Sequence, residues 1–424
     1  MSQVTILKNA HIFDGLSDEL MENFSVVVED GIIREVSQTS TNVDSAHIVD
    51  CQNRVLMPGL IDAHFHAYTP SFDILANDRM PPALLASHAA KILEGTLRRG
   101  FTTVRDAAGG DIGLWRALEA GLISGPRFYY AGKAISQTGG HGDMRLADEV
   151  EICACTSYSG SLTQIADGPD EMRKAVREEL RKGAHQIKLM VSGGVFSPTD
   201  PIWMPQFTDE EISTAVYEAS TRKKYVMVHC HTDDAARRSI LNGVRSIEHG
   251  TEISEDTARL IREKEAFVVP TLSPIDLLND RGQDMKVSKT SLEKSEGVMD
   301  KMLYSIENCI REGVSLGLGT DLLEHEFHPR QGAELELRRQ VNSEIEILRS
   351  ATSINAKLLQ MEGKLGCIKP DAFADLLVLD GNPLLDLSLF KDQQTKPQKL
   401  FFSLVYLLFF LIYLKIPETI QRLL

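Results

Sequence analysis

An amphipathic stretch closed by glycine and followed at once by a short apolar run recurs along this chain, and few folds repeat that pattern. LRRG-FTTVRD around Gly100, LISG-PRFYYAG around Gly125, LRKG-AHQIKLMVSGG around Gly183, LNG-VRSIEHG around Gly243 and IREG-VSLGLGTD around Gly313 all follow it. Glycine after a helix supplies the left-handed residue that closes the last turn. The Val, Ile, Thr and aromatic runs that follow read as strands buried on both faces. Helix starts are legible too: Thr208 with Glu211 three residues on forms a capping box ahead of EEISTAVYEAS.

Counting these runs gives eight strands, at 56–66, 101–106, 127–132, 186–194, 225–230, 246–250, 266–272 and 315–321. Strands alternating with helices indicate parallel βα units, and the expected fold is α/β, a closed (β/α)8 barrel of the TIM type. An open doubly wound sheet is disfavoured, because no GxGxxG follows the first strand. Outside the repeat, residues 1–57 read as short strands broken by turns such as Asp30-Gly31, and DAFADLLVLDGNP (371–383) adds a strand near the other end. The expected organisation is a small β-sandwich built from 1–57 and 363–396, a barrel over 58–362, and an atypical apolar tail over 397–424.

Charge and cysteine usage narrow the partners. The formal net charge is −15 and no basic block occurs, so nucleic acid, which needs a positive footprint, is excluded. The six cysteines form neither a disulfide framework nor zinc-finger spacing. No signal peptide is evident at the N-terminus, and the cytoplasm and a homo-oligomeric state are expected. The exception is LFFSLVYLLFFLIYL, Leu400 to Leu414, bounded by Lys399 and Lys415. It is shorter than the roughly 20 residues that span a bilayer, so membrane association is not expected.

Polar residues collect where barrel active sites lie, at the C-terminal ends of strands. His64 and His66 close the first strand, and residues two apart in a strand point the same way, so both imidazoles can face one point. Lys188 sits in an otherwise apolar fourth strand. His229 and His231 end the fifth with Cys230 facing away, His249 ends the sixth, and Asp321 ends the eighth. Singly each has an ordinary role, as a bonded pair, a snorkelling lysine or a helix cap. Gathered at strand ends of one barrel, they offer the nitrogen and oxygen donors that borderline and hard divalent ions take.

MPGLIDAHFH, GFTTVRDAAGG, a fifth strand ending in H-C-H, SIEHGT and GLGTD together resemble the amidohydrolase superfamily, and within it the prolidase-like dipeptidases and carboxypeptidases. The resemblance runs from residue 1 to about 395. It implies a distorted (β/α)8 barrel with a β-sandwich, and two divalent metals, expected to be Zn2+. His64, His66 and Asp321 would bind the more buried metal, and His229 and His249 the second. Lys188 would carry a CO2-derived carbamate bridging both, since an ammonium repels cations and its carbamate does not. Water activated by the metals would be the nucleophile, with Asp321 taking its proton and passing it to the leaving amine. His141, in SQTGGHGD, would hydrogen-bond the oxyanion. His231 stands where a tyrosine is expected in prolidase-like relatives, and can still donate to a substrate carboxylate. Arg105 and backbone N–H groups near Gly193 and Gly194 are further donors for that carboxylate. Val195, Phe196 and Trp203 are candidates for an apolar wall against a prolyl ring. Asp143, Glu324 and Glu326 would serve if the C-terminal residue were cationic. The implied substrate is a small dipeptide, Xaa-Pro first, with Xaa-Arg or Xaa-Lys dipeptides or a cyclic amide as alternatives. One-metal deaminase-like relatives carry a glutamate three residues after the fifth-strand histidine; here that position is Thr232.

Overall fold

Burial on both faces sets the central strands. The computed structural model describes residues 4–38, 46–145, 162–197, 199–282, 285, 287–391 and 399–401. Five strands open the chain: β1 (Val4–Ile12), β2 (Met21–Glu29), β3 (Ile32–Ser37), β4 (His47–Asp50) and β5 (Val55–Pro58). Next come β6 (Leu60–Phe65), β7 (Phe101–Asp106), β8 (Arg127–Tyr130), β9 (Ala134–Ser136) and β10 (Thr163–Ile165). Then follow β11 (Ile187–Met190), β12 (Val226–Cys230), β13 (Ser246–His249), β14 (Phe267–Val269) and β15 (Ser315–Leu316), before β16 (Leu376–Leu379) and β17 (Lys399–Phe401). Every residue of β6, β7, β11, β12 and β13 is buried, so their apolar residues do not alternate with solvent-facing ones, and their polar residues are buried with them.

β6 to β15 pair in parallel throughout, in two sheets ordered β6-β7-β8 and β10-β9-β11-β12-β13-β14-β15. This is a mixed α/β fold with two hydrogen-bonded parallel sheets, where the sequence led us to expect one continuous ring. Bonds outside the ladders cross from one sheet to the other. The Ala63 N–H donates to the Leu318 carbonyl at 2.9 Å, and the His185 N–H to that of Tyr130 at 2.8 Å. The Asn355 amide donates to both Ile61 (2.7 Å) and Leu318 (2.8 Å). Ile135, Leu189, Val228, Ile247 and Val268 from the strands pack on Val176, Ile212, Ile240 and Ile261 from the covering helices.

Helix punctuation follows the sequence closely. Gly100, Gly183, Gly243 and Gly313 all take left-handed φ, between 73° and 94°, and Thr208 and Glu211 form the capping box. Gly125 does not belong with them: the preceding helix, Ile112–Glu119, ends earlier and Gly121 takes the left-handed turn at φ 71°. Gly125 is instead short of space, since a Cβ there would lie 2.7 Å from the Leu118 side chain.

Strands from the two ends of the chain pair with each other. β16 runs antiparallel to β5, completing a sheet ordered β17-β16-β5-β1-β2-β3, with β4 on β1. Leu7, Ile12, Val26, Leu56, Leu376 and Val378 form its core. It is one hydrogen-bonded sheet of seven strands, and a sandwich of two facing sheets is not shown. The apolar tail lies outside the described residues beyond Phe401. Among the described residues no helix is long and apolar enough to cross a membrane.

Candidate metal centre and active site

A cavity of about 890 Å³, counting the part open to solvent, lies beyond the C-terminal ends of β6, β11, β12 and β13. The six expected ligand residues all line it: His64, His66, Lys188, His229, His249 and Asp321. Nε2 of His66 and of His64 lie 3.1 and 3.5 Å from Oδ1 of Asp321, and these three residues offer ligand atoms within 4.8 Å of one another. His249 approaches Oδ2 of Asp321 at 3.8 Å, and its ring lies 4.6 Å from that of His229. The i, i+2 spacing of His64 and His66 thus brings both rings to one point, and Gly319 lets the GLGTD segment reach them. A Cβ on Gly319 would sit 2.5 Å from that of His64.

Each of the four imidazoles has one nitrogen held by an outer partner and turns the other toward the cavity, where those of His64 and His66 meet Asp321. His64 Nδ1 bonds Glu248 at 2.8 Å and His66 Nδ1 bonds the Ala108 carbonyl at 3.4 Å. His249 Nδ1 meets the Thr271 hydroxyl at 2.7 Å, and His229 Nε2 donates to the Gly193 carbonyl at 3.2 Å. Outer partners of this kind fix ring orientation in metal sites. Burial, reinforced by Lys188, pushes His64 down to about 4. Burial, with neighbouring cations, sends His229 and His249 well below the ordinary histidine range. Neutral imidazole is the form that binds a cation. Burial alone would lower His66 as well, but Asp321 beside it shifts it upward; with three imidazoles held neutral and a carboxylate among them, the donor set fits divalent metal.

His249 and Asp321 both take left-handed φ, 66° and 49°, a conformation that costs a non-glycine residue about 1–2 kcal/mol. Neighbours in a strand normally face opposite ways. The turn at His249 ends β13 and lets both Glu248 and His249 reach the cluster.

Sequence reasoning did not single out Glu248, Asp62 or Asp106, and each holds a ligand strand in place. Asp62 accepts the Thr320 hydroxyl at 2.6 Å and the Gln331 amide at 2.8 Å, tying β6 to the segment that carries Asp321. Asp106 accepts the N–H groups of Ala67 (2.8 Å) and Gly110 (2.9 Å), shaping the turn after His66. Glu248 is bonded by Arg105 Nη2 through both oxygens at 2.9 Å. Burial alone would raise this carboxyl, but Arg105, with His64, holds it at about 2.

The structure does not place Arg105 where it was expected, at the cavity. Its guanidinium is completely buried, bonded to Glu248 and the Ala63 carbonyl, and does not line the cavity. The Gly193 and Gly194 N–H groups are also unavailable, bonded to the Met204 carbonyl and to Asp200. Asp143 pairs with Arg145, and neither it nor Glu324 nor Glu326 is among the residues lining the cavity. Trp203 is 73% exposed and away from it. Val195, Phe196, His141 and His231 do line it, with His231 Nδ1 held by Thr251 at 2.6 Å. Exchanging Glu248 for glutamine leaves Arg105 buried beside a neutral amide. The expected loss is about 3–5 kcal/mol of folding stability, read by denaturant unfolding against wild type.

A sequence profile of the Amidohydrolase family matches residues 55–404. The chain belongs to the amidohydrolase family, and is a hydrolase of that family. Ochratoxinase of Aspergillus niger is 31% identical over 415 residues, 92% of this chain and 84% of that protein. A crystal structure of a prolidase complexed with N-methylphosphonate-L-proline is 41% identical, with a TM-score of 0.91 over 95% of this chain and 98% of that one. A Xaa-Pro dipeptidase with methionine bound in its active site is 28% identical, with a TM-score of 0.83 over 95% and 98%.

Proposed function

We propose that the chain is a binuclear metal peptidase that hydrolyses dipeptides, with Xaa-Pro the preferred class. The observation that carries this reading is the gathering of His64, His66, Lys188, His229, His249 and Asp321 around one cavity. Imidazole and carboxylate donors with no thiolate suit zinc. His64, His66 and Asp321 would hold one cation, His229 and His249 the second, and Lys188, as a carbamate, would stand between them. Burial pushes the Lys188 ammonium down to about 8, so roughly a tenth of it is the neutral amine at pH 7. That amine adds to CO2 with loss of a proton, and a repelling cation becomes a two-oxygen anion. Cations bound there would polarise the scissile carbonyl and make water more acidic. Asp321 then accepts the proton of the attacking water and returns it to the leaving nitrogen. His141 donates to the carbonyl oxygen as charge develops there.

The walls support a neutral leaving residue. Met190, Val195, Phe196, Ile275, Met302 and Leu323 face the cavity, and among the described lining residues Asp321 is the one carboxylate. A prolyl nitrogen needs no acceptor for an N–H, and its ring needs apolar contact. A C-terminal Arg or Lys would need a second acidic group. His231, with Nδ1 taken by Thr251, keeps Nε2 for the substrate carboxylate. The same reading takes β6, β7, β8, β11, β12, β13, β14 and β15 as the eight strands of one barrel over 58–362, with β9 and β10 added to it, supported by the bonds from Ala63, His185 and Asn355, and flanked by a module of 1–57 and 363–396.

The test is kcat/KM across C-terminal residues with the N-terminal residue fixed. Pro should exceed Arg and Lys by tenfold or more, about 1.4 kcal/mol in the transition state. A tenfold preference for Arg or Lys overturns the prolidase reading. Cleavage of a lactone or cyclic amide alone overturns the peptidase reading altogether.

A further inference from the structure

The loop after β11 carries a group that the metal assignment does not use. Asp200 is completely buried. Its Oδ2 accepts the Gly194 N–H at 3.0 Å and lies 3.3 Å from Nδ1 of His141 and 3.4 Å from Nε2 of Gln206. The Ser197 hydroxyl is 2.8 Å from the same His141 nitrogen. With Nδ1 so engaged, Nε2 is the nitrogen left for the cavity that His141 lines. The ring is also trapped on its faces. It stacks on His229 at 4.0 Å and 17°, and Gly194 lies so close that a Cβ there would be 2.1 Å from Cε1 of His141. The His141 backbone N–H is held by Gln206 at 3.0 Å.

A lysine distant in sequence fixes the loop itself. Lys294, in the helix Lys289–Ser295, donates from Nζ to the carbonyls of Gly194 (2.9 Å), Ser197 (2.9 Å) and Asp200 (2.6 Å). Three carbonyls gathered on one ammonium saturate its three donors.

We infer that Asp200 is a positioning residue for hydrolysis: it aims Nε2 of His141 at the reacting carbonyl, and Lys294 holds the loop that presents Asp200. The inference rests on the amidohydrolase reading of the cavity and adds residues outside its ligand set. A donor to a developing oxyanion is worth about 10²–10³-fold in turnover when it is removed, and a misaimed one loses most of that.

A double-mutant cycle on the metal-loaded full chain decides it, using whichever dipeptide the wild type cleaves fastest. Asp200→Ala should lower kcat about 100-fold with KM within threefold and metal content unchanged, and Asp200→Asn, which keeps an acceptor oxygen, should recover to within tenfold of wild type. Adding His141→Ala to Asp200→Ala should cost less than a further threefold, because both act through one ring. Lys294→Met gives the same pattern at about tenfold, and carries the cycle if Asp200→Ala does not fold. Losses that multiply, or kcat within threefold of wild type in both Asp200→Ala and Lys294→Met, overturn the inference. If the wild type cleaves no dipeptide, the same cycle on the ester, lactone or cyclic amide it does cleave separates failure of the substrate reading from failure of this one.

Discussion

Asp321→Asn lowers kcat by about 10²–10⁴-fold, the usual contribution of a general base, while the protein keeps much of its metal. The geometry separates the two effects. Oδ1 of Asp321 stands 3.1 Å from His66 Nε2 and 3.5 Å from His64 Nε2, where a ligand oxygen is wanted. An amide oxygen can occupy that position and bind a cation weakly. It cannot take a proton from water. Burial alone would raise the Asp321 carboxyl, but His64, His66 and Lys188 beside it hold it below the usual range, so the wild-type residue is ionised and ready to accept at neutral pH. Elemental analysis and steady-state kinetics on the same preparation check both halves. Activity within tenfold of wild type contradicts the proton-transfer role.

Lys188→Ala has the larger effect, about 10⁴-fold or more, the scale seen when one member of a catalytic unit is removed. Lys188 is 2% exposed, and its strand neighbours Ile187, Leu189 and Met190 offer no anion in its place. On the proposed reading, the variant would lack the anion from β11 that would hold two cations together, and one of them should be lost. Truncation removes the lysine stem beyond Cβ and its nitrogen, and a short carboxylate entering that space would supply the missing anion, so propionate or acetate should restore part of the activity. Bicarbonate should not rescue the variant, because alanine has no amine to carbamylate. Unchanged activity with two metals per chain in Lys188→Ala sinks the carbamate proposal.

Residues whose position follows from local spacing were legible in the sequence. The i, i+2 pair His64 and His66, the lysine within an apolar strand and the aspartate after GLGT all line the cavity, because strand periodicity and the position of strand ends fixed their direction. Glu248 and Arg105 were not legible, because their meaning lies in each other across 143 positions. An arginine at a strand end reads as a carboxylate donor when its own buried partner cannot be seen. The Gly193 and Gly194 N–H groups failed for the same reason: their acceptors, Met204 and Asp200, come from the other limb of the loop. The left-handed turn at His249 was not legible either: histidine is among the non-glycine residues that adopt it more often, but only a few per cent of non-glycine residues do so at all. The terminal strands were found, but whether seven strands form one sheet or two layers depends on pairings such as β16 with β5, over 300 positions apart.

The most direct measurement is the metal-to-protein ratio of the purified full chain after loading with Zn2+ and removal of excess. Two ions per chain is the predicted result. One ion per chain or none contradicts the binuclear assignment of His64, His66, Lys188, His229, His249 and Asp321.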